Sequence, residues 1–255
     1  MRNLRLVLAY DGTDFQGWQR QAAGLTIQGV LEEEIGRVVG ETVKLYGSGR
    51  TDAGVHALHQ VANFKTQCRI PCENLLKALN DRLPPTIRVK DAGEAPDEFH
   101  ARYSVRSKTY RYRILQASIC SPFLWRFVYH YPFPLDHASM AEAACRLEGE
   151  HDFTSFAGSE GRTDTGEVER DKPCLVRKIS KSHLIRRTAK PLLIYEVRGS
   201  GFLHHMVRNI VGTLIEVGRG KLSSADIPRI VKGRDRTLAG PTAPARGLSL
   251  VKVEY

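Results

Sequence analysis

Three stretches of this 255-residue chain have side chains of the type and spacing that chemistry needs. The first is Gly49-Arg50-Thr51-Asp52-Ala53-Gly54, a polar, glycine-flanked turn between two strand-like segments. A guanidinium two residues before a carboxylate keeps it ionised, or holds a phosphate while the carboxylate attacks. An isolated Arg-x-Asp is more often a plain turn whose Asp accepts backbone N–H groups. Here the run of specified residues continues through Val55-His56-Ala57, which a plain turn does not require. The second stretch, Arg102 to Arg113, holds five basic residues, three tyrosines and no acid, the mixture that stacks on bases and tracks phosphates. Strand alternation places Tyr110 and Tyr112 on one face with Ile114, and Arg111 and Arg113 on the other. Tyr112 is as much a core residue as a stacking one on this pattern, whereas Tyr110 lies nearer the strand end. The third is Phe202 to Gly212, where His204, Arg208 and Gly212 at i, i+4 and i+8 form a polar ribbon beside an apolar stripe.

Other chemistries lack their residues. The adjacent His204 and His205 diverge if helical, and no His-Glu-x-x-His or Cys-x-x-Cys occurs, so no metal is expected. Neither a phosphate-binding Walker loop nor a dinucleotide fingerprint is present, so no nucleotide cofactor is expected. Taken alone, the three stretches suggest an RNA- or DNA-binding enzyme that uses a carboxylate and arginines at a base or its glycosidic bond. A non-catalytic RNA-binding protein and a nucleobase glycosylase are the rival classes.

The elements that must position these groups read as strands and helices in both parts of the chain. Leu4 to Tyr10 reads as a strand and Asp11 to Gln21 as a loop. Thr26 reads as the cap of a helix through Val39, because Ile27, Val30, Leu31, Ile35 and Val38 recur at helical spacing. Strands are expected at Thr42 to Tyr46, His59 to Lys65 and Thr86 to Lys90, with a helix from Pro71 to Leu83 between the last two. Further on, Lys108 to Leu115 and Arg126 to Tyr131 read as strands and Asp136 to Leu147 as a helix. Cys174 to Arg187 with Leu192 to Arg198 reads as a hairpin. Helices from Leu203 to Val217 and Ser224 to Lys232 and a final strand, Leu248 to Tyr255, complete the series. The pattern predicts an α+β fold with largely antiparallel sheet, in two parts, 1–105 and 106–255. Gly158 to Lys172 reads as a surface loop. Its Gly161-Arg162-Thr163-Asp164-Thr165-Gly166 nearly repeats the first turn. Only the first copy is flanked by apolar strands able to hold a catalytic group rigidly.

Charge sharpens this division. Residues 1–105 carry 13 basic and 13 acidic side chains and residues 106–255 carry 25 and 15, so the whole net charge of +10 falls in the second part. Such a surplus suits a polyanion. Five scattered cysteines argue against a disulfide framework, and the absence of a long apolar run argues against a leader or membrane span. A cytoplasmic protein is expected.

The turn from Gly49 to Ala57 resembles the signature of the tRNA pseudouridine synthase A family. The likeness continues in order through Tyr10 to Gln19, Phe99 to Arg102, Lys108 to Tyr112, Asp152 to Phe156, Phe202 to Gly212 and Arg236 to Gly240. The resemblance implies isomerisation of uridine to pseudouridine at positions 38 to 40 of the tRNA anticodon stem-loop, without a cofactor. It implies a homodimer whose protomers are two ferredoxin-like halves, their sheets joined around a central basic cleft. By resemblance Asp52 is the catalytic nucleophile, attacking C1′ or C6, or else it assists removal of the C2′ proton. Tyr110 stacks on the detached uracil and is a candidate for removing the C5 proton, and Arg208 pairs with Asp52 and keeps it ionised. Arg50 helps hold the flipped nucleotide, and His56 and Arg111 join Tyr110 and Arg50 as expected substrate contacts.

Overall fold

The computed structural model describes residues 1–158, 175–187 and 191–255. Contacts divide them into two compact units, Met1–Lys108 with Ser249–Tyr255, and Thr109–Leu248. The chain's final strand therefore belongs to the first unit, which a simple division near residue 105 does not anticipate.

In the first unit β1 (Arg2–Tyr10) lies between β3 (His56–Thr66) and β4 (Ile87–Ala95), antiparallel to both. The two-residue β2 (Tyr46–Gly47) pairs with β3, and β10 (Leu248–Glu254) joins the far side of β3 in parallel. Leu4, Leu6, Leu8 and Tyr10 alternate along β1 and are buried. The buried stripes of α1 (Ile27–Val39), made by Ile27, Leu31 and Ile35, and of α2 (Cys72–Arg82), made by Leu75 and Leu79, meet that leucine face. The expected cap of α1 is in place. Thr26 is extended, its side chain accepts from the Gly29 N–H, and the helix stops at a left-handed Gly40.

The strand expected at Thr42 to Tyr46 shrinks to β2. Side chains of α1 take the backbone groups a ladder would have used: Glu32 accepts from the Leu45 N–H, and Gln28 donates to the Leu45 carbonyl, both at 3.0 Å.

The second unit orders its strands β5 (Ser107–Leu115), β9 (Leu192–Gly199), β8 (Val176–Arg187) and β7 (Gly149–Asp152). The β8–β9 hairpin is antiparallel, as expected, and β7 is an addition whose short polar sequence has no strand signal. Arg126 to Tyr131 is not a continuous strand. It begins as a 3-10 turn at Trp125–Phe127, where the Ser121 carbonyl accepts from both Leu124 and Trp125, and only β6 (Tyr129–His130) runs beside β5. Among the described residues three α-helices complete the unit: α3 (His137–Cys145), α4 (Met206–Gly218) and α5 (Asp226–Gly233). The whole is α+β on a mixed sheet. Most of the Gly158 to Lys172 loop, with the second Arg-Thr-Asp, lies outside the described residues, and among the described residues no helix is long and apolar enough to cross a membrane.

Candidate active site

Asp52 stands in the turn that leads from β2 into β3, partly exposed. The turn is short because the Val55 N–H donates back to the Asp52 carbonyl at 3.1 Å. It is held from outside by the loop after β1, which the sequence reads only as a loop. The Trp18 N–H donates to the Thr51 carbonyl at 3.0 Å, and the Gly54 N–H donates to the Phe15 carbonyl. Tyr10 and Thr51 hydroxyls meet at 2.8 Å, buried, and burial pushes the Tyr10 phenol well above its ordinary range, so it stays a neutral strut. Gly17 has φ +89°, and a Cβ there would lie 2.6 Å from the Thr51 carbonyl oxygen. Only glycine lets that loop approach so closely.

Beneath the turn, Gln60 organises the entering strand: its amide donates to the Gly49 carbonyl at 2.8 Å, and its oxygen meets the Ser48 hydroxyl and the Val61 N–H. The Lys108 ammonium rests against Gly49, at the head of the motif. Arg50 is exposed and donates to the Gln19 side chain at 3.1 Å. His56, expected to touch substrate, is instead 2% exposed. Its Nδ1 accepts from the Gly12 N–H and lies 3.1 Å from an Asp11 carboxylate oxygen, which makes it a brace between the loop and β3. Asp11, Gly12, Gly17 and Gln60 are thus working residues that spacing alone did not single out. Their signal is the density of glycines and aromatics from Tyr10 to Trp18.

In the second unit Tyr110 keeps 7% exposure and meets the Phe202 ring edge-on, with centroids 5.1 Å apart. Tyr112 settles into the core: it is fully buried and its hydroxyl donates to the Pro244 carbonyl at 2.7 Å. Arg111 holds Glu196 on neighbouring β9 through Nε and Nη2, at 3.0 and 2.7 Å, so any phosphate it meets competes with that carboxylate. Arg208 lies in the first turn of α4, half-buried, and its Nε donates to the Ala243 carbonyl at 2.8 Å.

The ribbon of His204, Arg208 and Gly212 does not form. The helix starts only at Met206, because His205 adopts a left-handed conformation with φ 57°. His204 and His205 therefore do not diverge as helical neighbours would; their rings stack at 3.8 Å. Gly212 faces inward, and a Cβ there would fall 1.6 Å from the Pro241 carbonyl oxygen. Around it Asn209 donates to the Phe156 carbonyl at 2.7 Å and accepts from Arg236 and Thr242. Three sequence blocks far apart in the chain, near 156, 209 and 236–242, are locked together by this one amide.

With this geometry in view, the sequence pattern of the family described as tRNA pseudouridine synthase matches residues 6–104 and 143–255. Proteins named tRNA pseudouridine synthase A are similar over the full length of both chains: 52% identical in Solibacter usitatus, 45% in Caldicellulosiruptor bescii and 44% in Brevibacillus brevis. On that match the chain, with its braced Asp52 turn, belongs to the tRNA pseudouridine synthase family.

Proposed function

We propose that this protein isomerises uridine to pseudouridine in tRNA, with Asp52 as the nucleophile and positions 38 to 40 of the anticodon stem-loop as its targets. The observation that carries the reading is the Asp52 turn, fixed by Tyr10, Gly17, Trp18 and Gln60, in a chain of this family. The reaction breaks N1–C1′, turns the uracil and forms C5–C1′. The C5 proton is lost and N1 gains one from solvent, so nothing is oxidised or reduced and no phosphoryl group is consumed. Asp52 acts at C1′ or C6, or on the C2′ proton; all three routes need it ionised. Arg208 supplies the countercharge and Tyr110 the ring that retains the detached base. Arg50, exposed and close to the turn, holds the flipped nucleotide; His56 positions the turn. Extruding the nucleotide from a stem costs a few kcal/mol, which these contacts offset.

The ferredoxin-like reading is supported in the first half by the strand–helix–strand–strand–helix–strand order of β1, α1, β2, β3, α2 and β4, with the sheet running β4, β1, β3 and β2 paired on β3. A homodimer is supported by a run of exposed large apolar side chains in the second unit: Ile119, Phe123, Leu124, Trp125 and Phe133.

The direct test uses tRNA tritiated at uridine C5. The protein releases label, and Asp52→Ala and Asp52→Asn release none while still binding tRNA. Label release unchanged in both variants would remove Asp52 from the mechanism, and release lost in Asp164→Ala would transfer the role to the second copy of the motif. Free uracil with an abasic tRNA would identify a glycosylase.

A further inference from the structure

The face of the first unit's sheet that the helices leave uncovered carries a second feature. Since the leucines of β1 face the helices, Arg5 and Val7 face the other way, and Val7 sits opposite Val61 on β3 and Asp91 on β4. A groove of about 340 Å³ crosses the strands here, floored by Val7, Val61 and Val253 and edged by Arg5, His59, Lys90, Asp91 and Tyr255.

Its polar groups are only loosely engaged. The Arg5 guanidinium lies 3.1 Å from Asp91, with both side chains substantially exposed. Exposed pairs of this kind contribute about 1 kcal/mol or less, so their cations exchange readily onto a stronger anion. The Lys90 ammonium donates to the Leu58 carbonyl at 3.2 Å. His59 Nδ1 is buried and has no hydrogen-bond partner in another residue. Burial, and then Lys90, Arg5 and Lys252, hold the imidazole below its ordinary pKa against a hydrogen bond to its own backbone, so a neutral ring stands in a positive field.

An apolar floor takes the flat face of a base, a neutral imidazole meets its polar edge, and cations at the rim take a phosphate. A purely apolar partner would satisfy only the floor and would strip water from the cations around it. We propose that this groove binds one unpaired nucleotide of the RNA substrate, its base against the valines, its edge at His59 and its phosphate on Arg5 and Lys90. This rests on the reading of tRNA as substrate and adds a subsite outside the Asp52 turn.

The test compares wild type with Arg5→Ala/Lys90→Ala, two rim side chains whose loss leaves the thermal midpoint unchanged. Binding to tRNA and to a short oligouridylate is followed across salt concentrations, with tritium release measured in parallel. The double variant binds about tenfold more weakly, its log K against log salt slope flattens by about one to two, and the loss appears in KM with kcat retained. His59→Leu weakens binding, and His59→Gln restores part of it. Unchanged affinity and slope would overturn the proposal, as would altered sedimentation with intact RNA binding, which would give the groove to a protein partner. A wild type that binds tRNA but releases no tritium would instead defeat the isomerase reading and leave the binding comparison standing.

Discussion

At the scale of single residues the proposed chemistry rests on one carboxylate, Asp52, and on how firmly its turn is held. Arg50, Asp52, Tyr110 and Arg208 stand out in the sequence because charged and aromatic groups at unusual spacing have few structural uses. The bracing residues do not, since a buried Tyr10 or Gln60 looks like any half-polar strand residue. His56 was legible as part of the motif but not as a brace, because burial beside Asp11 and Gly12 is a tertiary fact. Tyr110 separates ring from hydroxyl: Tyr110→Phe retains tRNA affinity in a filter-binding assay, and Tyr110→Ala loses about 1–3 kcal/mol of it.

At the scale of elements the local signals were good where one face is buried and capped. Thr26 and the Ile27, Leu31, Ile35 stripe determine α1 from its own residues. The failures fall where another element supplies the hydrogen bonds. Leu45 is satisfied by side chains of α1 and so leaves the sheet, while β7 exists because β8 offers it a ladder. Helix α4 starts three residues later than its apolar stripe, because His205 is left-handed and its ring stacks on His204. Its interior glycine makes a sharp prediction. In Gly212→Ala the new methyl meets the Pro241 backbone, which cannot rotate away, so urea denaturation shows the protein destabilised by about 3 kcal/mol.

At the scale of the molecule two further outcomes are measurable. Phe123 is 89% exposed among other apolar side chains, so Phe123→Asp shifts sedimentation from dimer to monomer if this surface joins two copies. The second concerns acid. Burial, the first cause in each case, lowers the pKa of His59, His100 and His137 from the ordinary 6.5. A group with a lower pKa folded than unfolded binds more protons in the unfolded chain, so its contribution is full above about pH 6.5 and is lost as pH falls through the folded value. Carboxylates held down by hydrogen bonds, among them Asp226 at about 2, add a second loss further into acid. Urea midpoints therefore decline from neutrality toward pH 5 and again below pH 4, and His137→Gln with His100→Gln flattens the first decline alone.

The sequence by itself determined the α+β alternation, most helices and strands, the net charge and the turn that carries Asp52, because each leaves a period, a cap or a rare cluster in neighbouring residues. Only the tertiary structure decided that Tyr10 to Trp18 clamps the turn, that Asn209 gathers three distant blocks, and that the final strand returns to pair with β3. Those contacts join residues far apart along the chain, where shape and unmet hydrogen bonds choose the partner and no local pattern records the choice.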